Sequence, residues 1–262
     1  MGTGYITQYI DVAQITLYVF WIFFAGLIWY IRREDRREGY PLEHDLTGKY
    51  DKDPWLFLPA PKTFKLPHGL GEVQVPDPAH RDERPVPAER TAGFNGAALK
   101  PTGANPMLDC VGPASWVERA DRPDLAADGK PVLAPMSAAP EFDIAEGDPD
   151  PRGMQVVACD MNFAGTISDV WVDRAEQMIR YFEVDVKGGG SVLLPHNFSK
   201  LGRIPRTGDR AMFVKSITAA QFADVPGHAA PDRVTLLEED KIMAYYGGGT
   251  LYATPRRQEP LI

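Results

Sequence analysis

Residues 12–31 read VAQITLYVFWIFFAGLIWYI, and this uninterrupted apolar stretch is the feature around which the rest of the chain is organised. It contains no charged residue; Asp11 precedes it and Arg32 follows it. An α-helix of about 20 residues is about 30 Å long, the thickness of the hydrocarbon core of a bilayer. A helix buried in a soluble core is the alternative, but such helices are rarely apolar on all sides over this length. We predict a transmembrane helix over 12–31 that extends to about residue 38, because Gly39 and Pro41 are expected to end it.

The charges that flank this stretch predict its orientation. Residues 1–11 contain no Lys or Arg, whereas residues 32–38 contain four arginines. Because cytoplasmic flanks are enriched in basic residues, residues 1–11 are predicted to be a short periplasmic tail and the rest of the chain to be cytoplasmic. A cleaved signal peptide is the competing interpretation, but it needs a basic segment before the apolar run and a small-residue cleavage site after it. The aromatic residues expected at the two membrane surfaces are Tyr5, Tyr9, Trp29 and Tyr30.

The part of the chain that follows is acidic and long enough to form a core. The protein has 262 residues and a formal net charge of −8, which argues against nucleic acid as a partner. Because an acidic domain is repelled by an anionic leaflet, only the arginines just after the helix are expected to interact with membrane lipids. Cys110 and Cys159 are far apart in the sequence and are expected to be free thiols in a reducing cytoplasm.

The segment from residue 39 to residue 110 is rich in proline and shows no sustained periodicity. Disorder is one interpretation, but disordered segments contain few aromatic residues. We therefore predict an extended, ordered surface segment with short strands such as 71–75, followed by a globular domain over 111–262. The aromatic residues that favour this interpretation include Trp55, Phe57, Phe64 and Phe94.

The globular domain carries a pattern of short strands. Alternation predicts strands in GTISDVWV at 165–172 and IRYFEVDV at 179–186. Three glycines at 188–190 predict a turn into SVLL at 191–194, and RAMFVKSI at 210–217 predicts a further strand. Strands this short and closely spaced are typical of a small barrel or a strongly bent sheet. The glycine run lacks the Lys-Ser/Thr of a phosphate-binding loop, so no phosphate site is predicted there.

Two helices are predicted in the last third of the chain. Residues 216–225 are expected to form a short helix. Thr235 and Glu238 have the spacing of a capping box, in which each side chain accepts a hydrogen bond from the other residue's backbone N–H. A helix is therefore predicted from Thr235 to about Tyr246, with the glycines at 247–249 ending it.

Several blocks of sequence, taken together, resemble one family closely. They are RREDRREGYPL at 32–42, PKTFKLPHG at 61–69, VGPASW at 111–116, VWVDRAEQMIRYFEV at 170–184, TLLEEDKIMAYYGGG at 235–249 and LYATP at 251–255. In this order, after a single apolar span, they resemble the H subunit of the photosynthetic reaction centre of purple bacteria. The resemblance implies a PRC-barrel at about 152–222, which agrees with the pattern of short strands.

The resemblance also implies a role. Subunits of this family bind no cofactor and are not enzymes; they cap the cytoplasmic face of the L and M subunits in the bacterial inner membrane, including its intracytoplasmic, chromatophore form. The partner subunits hold bacteriochlorophyll, bacteriopheophytin, quinones, non-haem iron and carotenoid. The implied functions are shielding of the quinone sites, support of electron transfer between quinones and proton delivery to the secondary quinone. A light-harvesting antenna ring and a cytochrome subunit are further candidate partners.

Asp173, Glu176 and Arg180 match the family's motif in WVD-x-x-EQM-x-R. Proton delivery needs titratable groups close enough to exchange a proton directly or through water, so the resemblance makes the two carboxylates candidate relays. Arg180 keeps its proton and would tune them electrostatically. If this turn were helical, Glu176 and Arg180 would be four residues apart on one face, and a plain surface ion pair is the alternative.

Asp121, Asp124 and Asp128 are candidates for collecting protons from the cytoplasm. Some family members carry a pair of surface histidines in this region, and here Asp128 and Lys130 occupy those positions. Unperturbed carboxylates hold few protons near neutral pH. An exposed acidic turn without a transfer role is therefore the alternative.

Two charged clusters are candidates for the interface with the other subunits. For the cluster in the EEDK block, the alternative is a solvated helix start that is favoured by the helix dipole. No metal site is predicted, because the five histidines show no metal-binding spacing. The clusters are Arg32, Arg33, Arg36 and Arg37 after the first helix, and Glu238, Glu239, Asp240 and Lys241 in the EEDK block.

Two other functions are weighed against the reaction-centre role. A membrane-tethered docking or assembly protein could use a PRC-barrel alone, but it would need neither the long proline-rich segment nor the EEDK block. A tethered enzyme would need a nucleophile and a base, and no such pairing follows from the spacing of residues here.

Overall fold

The computed structural model describes residues 4, 6–7, 10–40, 42, 44, 47–49, 58–77, 84–94 and 96–258. The chain divides into two compact units, Met1–Glu83 and Arg84–Ile262, and each has its own contacts. Several residues whose roles were predicted from the sequence lie outside the described residues: Tyr5, Tyr9, Pro41, Trp55, Phe57 and His80.

The first unit is dominated by helix α1, Val12–Glu34. Asp11 caps it by accepting a hydrogen bond from the Gln14 amide at 2.7 Å. No residue of α1 is buried within the chain, and the helix is long and apolar enough to cross a membrane. A 3₁₀ turn, Asp35–Arg37, continues α1, and Gly39 then takes a positive φ of 72°. An apolar helix without intramolecular cover needs lipid or other helices around it.

A small antiparallel hairpin completes the first unit. It consists of β1, Lys62–Lys65, and β2, Glu72–Val75, so the strand predicted at 71–75 is confirmed. Arg37 connects the hairpin to the end of α1, because its Nη1 donates to the carbonyls of Ala60 at 2.9 Å and Val75 at 3.1 Å. The proline-rich region thus has ordered contacts of its own in this part.

The second unit contains a short ribbon and one larger sheet. The ribbon pairs β3, Ala88–Arg90, with β4, Leu99–Pro101. The larger sheet has seven strands among the described residues. They are β5, Leu133–Pro135; β6, Gln155–Val157; β7, Phe163–Asp173; β8, Met178–Val186; β9, Ser191–Pro195; β10, Ser199–Arg203; and β11, Arg210–Val214.

The larger sheet is strongly connected through β7. The strand order is β10-β11-β6-β7-β8-β9, and β5 pairs with the far end of β7. All pairings are antiparallel except the parallel pair of β6 and β11. The predicted hairpin of β8 and β9 is confirmed, and Gly188, Gly189 and Gly190 turn the chain between them with positive φ angles. β7 and β8 form a second hairpin. Sequence patterns missed β5, β6 and β10, which are short.

Helix α2, Leu236–Tyr252, closes the core of the second unit. Ile242, Tyr245 and Tyr246 have no exposed surface and join the cluster that contains Trp171 and Phe222. The predicted capping box of Thr235 and Glu238 is confirmed. The prediction that the glycines at 247–249 end the helix is wrong, because α2 continues through them.

The glycines continue the helix because they are packed against other backbone segments. A Cβ on Gly247 would lie 2.6 Å from the Pro113 carbonyl oxygen, and one on Gly248 would lie 2.7 Å from the Cβ of Ala114. The helix predicted over 216–225 is also wrong in type, since that region forms a short 3₁₀ turn, Ala220–Asp224.

Candidate functional site

A tight loop between β7 and β8 holds the Asp173, Glu176 and Arg180 motif. Asp173 Oδ1 accepts hydrogen bonds from the backbone amides of Ala175 at 2.9 Å and Glu176 at 2.8 Å. The Gln177 amide closes the loop onto the Asp173 carbonyl at 2.8 Å, and Gln177 has a positive φ of 56°. Aspartate commonly begins turns in this way, because its side chain satisfies nearby backbone donors.

A β-bulge sets the direction of Arg180. Trp171 pairs with Tyr181 and Val172 pairs with Ile179, so Arg180 is the extra residue on β8. Bulges commonly redirect a side chain in this way. The Nε and Nη2 atoms of Arg180 each donate to Asp173 Oδ2 at 3.2 Å, and Nη2 also donates to Glu176 Oε2 at 2.7 Å. The Glu176–Arg180 ion pair therefore forms across a hairpin and not along a helix.

The two carboxylates of the motif differ in their surroundings. The side chain of Asp173 is 6% exposed, and both of its oxygens are occupied by donors, whereas the side chain of Glu176 is 60% exposed. Asp173 thus holds the loop and the guanidinium in place. Glu176 is the carboxylate of the pair that solvent reaches.

A cleft of about 480 Å³ lies beside this loop. It brings β8 next to the start of α2 and the segment before β5, which are far apart in sequence. Hydrophobic side chains such as Val234 and Leu236 form part of its wall. Its charged and phenolic lining residues are Arg119, Asp124, Asp173, Arg180, Tyr181 and Glu239.

Glu239 is the acidic group in the cleft whose environment favours protonation. Burial raises the pKa of the Glu239 carboxyl above its ordinary value of 4.5, and the negative charge of Asp124 adds to this effect. The hydrogen bond from Tyr181 and the nearby guanidinium groups of Arg119 and Arg180 oppose the increase in pKa. Tyr181 donates its hydroxyl to Glu239 Oε2 at 2.9 Å, and burial raises the pKa of the phenol so that it keeps this proton. Such a carboxyl exchanges protons closer to neutral pH than an exposed one.

The raised pKa of Glu239 predicts a pH-dependent contribution to stability. The folded chain binds this proton more tightly than the unfolded chain, so the contribution is complete below the ordinary pKa of 4.5 and is lost as pH rises through the folded pKa. We expect the free energy of unfolding of the native protein to fall relative to that of Glu239→Gln as the pH rises above the ordinary pKa of 4.5. Urea unfolding of both full-length chains in detergent micelles at several pH values measures this difference. A constant difference across these pH values would contradict the effect of burial on Glu239.

The three aspartates expected to collect protons have different partners. Asp121 accepts a hydrogen bond from the Thr235 hydroxyl at 2.8 Å. Asp124 accepts from the Leu125 amide at 3.0 Å and lines the cleft. Asp128 forms an ion pair with Arg174 at 2.9 Å, and this hydrogen bond lowers the pKa of Asp128. Of the three, Asp124 is the one that faces the cleft with Glu239.

The EEDK block is engaged with its own chain. Glu238 accepts hydrogen bonds from the amides of Thr235 at 2.8 Å and Ala229 at 2.7 Å. Glu239 lies in the cleft, and Asp240 accepts from the Val117 amide at 2.8 Å. The ammonium group of Lys241 lies 4.8 Å from the centre of the Trp116 ring, and the Arg84 guanidinium lies 3.7 Å from the same centre. The block therefore joins α2 to several segments of the same unit.

The arginines after α1 also make contacts within their unit. Arg32 pairs with Asp35 at 2.6 Å, and Arg37 pairs with Glu34 at 2.9 Å. The guanidinium of Arg33 lies 5.6 Å from the centre of the Trp29 ring, and that of the buried Arg36 lies 5.2 Å from the centre of the Tyr40 ring. Within the part of the chain that the structure describes, no group of three or more His, Cys, Asp or Glu side chains could hold a metal ion.

Sequence patterns alone did not identify the pairing of Tyr181 with Glu239. The two residues are separated by 58 positions and meet through the packing of α2 on β8. The sequence offers a weaker signal, a second glutamate directly after the capping Glu238, which places an acid in the first turn of α2.

An apolar N-terminal helix followed by a mainly-β domain is the arrangement of a membrane-anchored protein, and comparison with known families shows which family this chain belongs to. Residues 143–221 match the PRC-barrel domain family. Residues 4–138, about half of the chain, match the family described as photosynthetic reaction centre, H-chain N-terminal region. The chain belongs to this H-chain family.

Family membership confirms the main predictions from the sequence. The fold is a single apolar N-terminal helix followed by a mainly-β domain with a PRC-barrel and a few short helices. The protein is a membrane-anchored subunit of the photosynthetic reaction centre, and members of its family are structural subunits of that complex. The family implies association with the L and M subunits, with cofactors carried by the partner subunits.

Proposed function

We propose that this subunit caps the cytoplasmic face of the L and M subunits, shields the quinone sites and delivers protons to the secondary quinone through the cleft beside the β7–β8 loop. The observation that carries the proposal is Glu239, a partly buried carboxyl with a raised pKa in a cleft that is open to solvent. Asp124 lies at the same cleft and Glu176 lies at the adjoining loop. By delivering these protons the subunit also supports electron transfer between the quinones, because full reduction of the secondary quinone requires protons.

The roles within this route follow from exposure and hydrogen bonding. Asp124 is exposed at the mouth of the route, burial raises the pKa of Glu239 so that its carboxyl can carry a proton inward, and Glu176 presents an accessible carboxylate. Asp173 and Arg180 act by position and charge, because Asp173 is occupied by four donated hydrogen bonds and Arg180 keeps its proton. Asp121 and Asp128 are assigned to the outer surface beside the cleft, with Asp128 paired to Arg174 and Asp121 bonded to Thr235.

The orientation is part of the same proposal. The four arginines after α1 favour a cytoplasmic position for that end of the helix, so residues 1–11 are periplasmic and the β domain is cytoplasmic. No side chain of α1 is buried by the chain itself, which leaves its surface available to transmembrane helices of L and M or to lipid. The arginine cluster and the outward-facing side of the EEDK block are proposed to border those subunits. An antenna ring and a cytochrome subunit remain candidate neighbours in the membrane.

The proton route is tested with Glu239→Gln in the assembled complex. Glutamine preserves the size of the side chain and can accept the Tyr181 hydroxyl, but it cannot carry a proton. We expect proton-coupled reduction of the secondary quinone to slow about tenfold. Loss of a positioned proton-transfer group usually slows a reaction more than this, but water in the cleft offers a parallel path. Primary charge separation should be unchanged. Flash-induced absorption kinetics measure both steps.

Glu176→Gln is expected to slow the same step, and Glu146→Gln serves as the matched control because Glu146 is exposed and outside the cleft. Unchanged quinol formation in both Glu239→Gln and Glu176→Gln would overturn the route. The structural assignment as a reaction-centre subunit would then stand without it.

A further inference from the structure

Strands β10 and β11, with the loop between them, carry a concentration of basic residues on an acidic chain. Residues 199–215 contain five cations and one carboxylate, Asp209, whereas the whole chain has a formal net charge of −8. We call residues 199–215 the basic hairpin. Its cations are all exposed: Lys200, Arg203, Arg206, Arg210 and Lys215.

The charges of the basic hairpin are not neutralised by neighbouring side chains. Other surface arginines of the same unit are paired, for example Arg152 with Asp150 at 2.6 Å and Arg174 with Asp128 at 2.9 Å. Among the described residues, no carboxylate oxygen lies within 4.0 Å of a cationic nitrogen of the basic hairpin. The positive charge is therefore directed to solvent or to a partner outside the chain.

The two central arginines face each other directly. Arg203 and Arg210 are cross-strand partners at the end of the ribbon. Like charges in this position destabilise a β-ribbon, so the fold does not benefit from the pair. The loop is nevertheless well defined, because the Ile204 amide donates to the Asp209 carbonyl at 2.9 Å and Arg203 Nη1 donates to the Gly208 carbonyl at 2.9 Å. The hydrogen bonds of the loop thus hold several positive charges close together.

Protection of a sheet edge explains only some of these cations. β10 is the edge strand of the larger sheet, and basic residues on an edge oppose pairing with other chains. This accounts for Lys200 and Arg203. It does not account for Arg206, which lies in the loop between the strands, or for Lys215, which follows β11.

Exposed apolar side chains next to the cations favour a lipid surface as the partner. Met161 is 60% exposed and lines a shallow cavity of about 530 Å³ together with Lys200 and Lys215. Leu201, 41% exposed, is the cross-strand partner of Met212 and lies on the other face of β10, with Arg203. Basic residues beside accessible aliphatic groups suit the headgroup boundary of an anionic bilayer. Because α1 anchors the chain in a membrane, the leaflet is present at a high effective concentration.

We infer that the basic hairpin docks on the anionic surface of the membrane in which the chain is anchored. Its ammonium and guanidinium groups contact lipid phosphates, and Met161, beside Lys200 and Lys215, lies at the headgroup boundary. The acidic composition of the chain led us to expect lipid contacts only at the arginines after α1. The basic hairpin adds a second lipid contact. The inference rests on the membrane anchor and does not depend on the proton route.

Lysine acetylation of the full-length chain in vesicles tests the inference. The chain is reconstituted through α1 in phosphatidylcholine vesicles and in vesicles of equal parts phosphatidylcholine and phosphatidylglycerol. We expect Lys200 and Lys215 to be acetylated about fivefold more slowly in the anionic vesicles, which corresponds to the attraction of one basic residue to such a surface. High salt should remove the difference. Lys187, which is exposed on the β8–β9 turn, should react equally in both.

A matched pair of variants separates the docking surface from net charge. Arg206→Gln with Arg210→Gln should restore the acetylation of Lys200 in anionic vesicles. Lys130→Gln with Arg233→Gln removes the same charge from other exposed positions and should not. Equal acetylation of Lys200 in both vesicle types would overturn the inference and leave edge protection as the role of these residues. Protection in phosphatidylcholine that appears only in the assembled complex would assign the surface to a protein partner, and would also overturn it.

Discussion

Replacement of Asp173 by alanine is expected to lower the free energy of unfolding of the β domain by about 3 kcal/mol. The substitution removes the acceptor for two backbone amides of the β7–β8 loop and for the guanidinium of Arg180. Asp173 is only 4% exposed, so water cannot readily replace these bonds. Donors left unpaired in a buried position account for most of the expected loss.

Two further variants define the origin of that loss. Asp173→Asn retains an oxygen for the backbone amides but loses the charge that faces Arg180, so its cost should be about 1–2 kcal/mol. Glu176→Gln breaks an exposed ion pair and should cost less than about 1 kcal/mol. Urea unfolding of the full-length chain in micelles, followed by near-ultraviolet circular dichroism, measures all three. An equal loss for Asp173→Ala and Glu176→Gln would show that the buried bonds do not carry the loop.

Replacement of Gly249 by alanine is expected to destabilise the same domain by about 2 kcal/mol, although alanine favours helices. The added methyl group would collide with the Ile217 side chain and lie 2.8 Å from the Ser216 carbonyl oxygen. Overpacking against backbone costs up to about 3 kcal/mol, and the better helix propensity of alanine returns about 1 kcal/mol.

Thr250→Ala is the matched control, because it changes the next residue of α2 at an exposed position. It should leave the free energy of unfolding within about 0.5 kcal/mol of the native value. The same urea titration compares the two. If Gly249→Ala were as stable as Thr250→Ala, the close contact of α2 with residues 216–217 would not limit stability.

Local patterns in the sequence were sufficient for the elements that carry strong periodicity or composition. Twenty apolar residues defined α1, and alternation defined β7, β8 and β9 because each has one buried face. The capping box at Thr235 marked the start of α2, since both of its hydrogen bonds are local. These features depend on residues that are neighbours in the sequence.

Features that depend on distant residues could not be predicted in the same way. Glycine usually ends a helix, but here Gly247, Gly248 and Gly249 allow two other segments to approach α2. β10 is short and carries a glycine, so no alternation identified it; it forms by pairing with β11. Nothing local distinguishes a glycine that ends a helix from one that lets another segment pack closely.

The candidate site shows the same division. The Glu176–Arg180 ion pair was expected only if this turn were helical, but the structure forms it across the β7–β8 hairpin. The burial of Asp173 and the bulge that directs Arg180 depend on the pairing of β7 with β8. The place of Glu239 in the cleft depends on the packing of α2 against β8, which brings together residues 58 positions apart. The transfer roles themselves remain predictions.

The position of α2 in the chain has a consequence for biogenesis. The residues that match the PRC-barrel family end at 221, yet Ile242, Tyr245 and Tyr246 of α2 fill the centre of the same core. A ribosome synthesises α1 long before α2. The anchor can therefore enter the bilayer while the β domain still lacks the helix that covers its apolar interior. Completion of the domain then takes place beside the membrane, where chaperones and partner subunits meet an unfinished core.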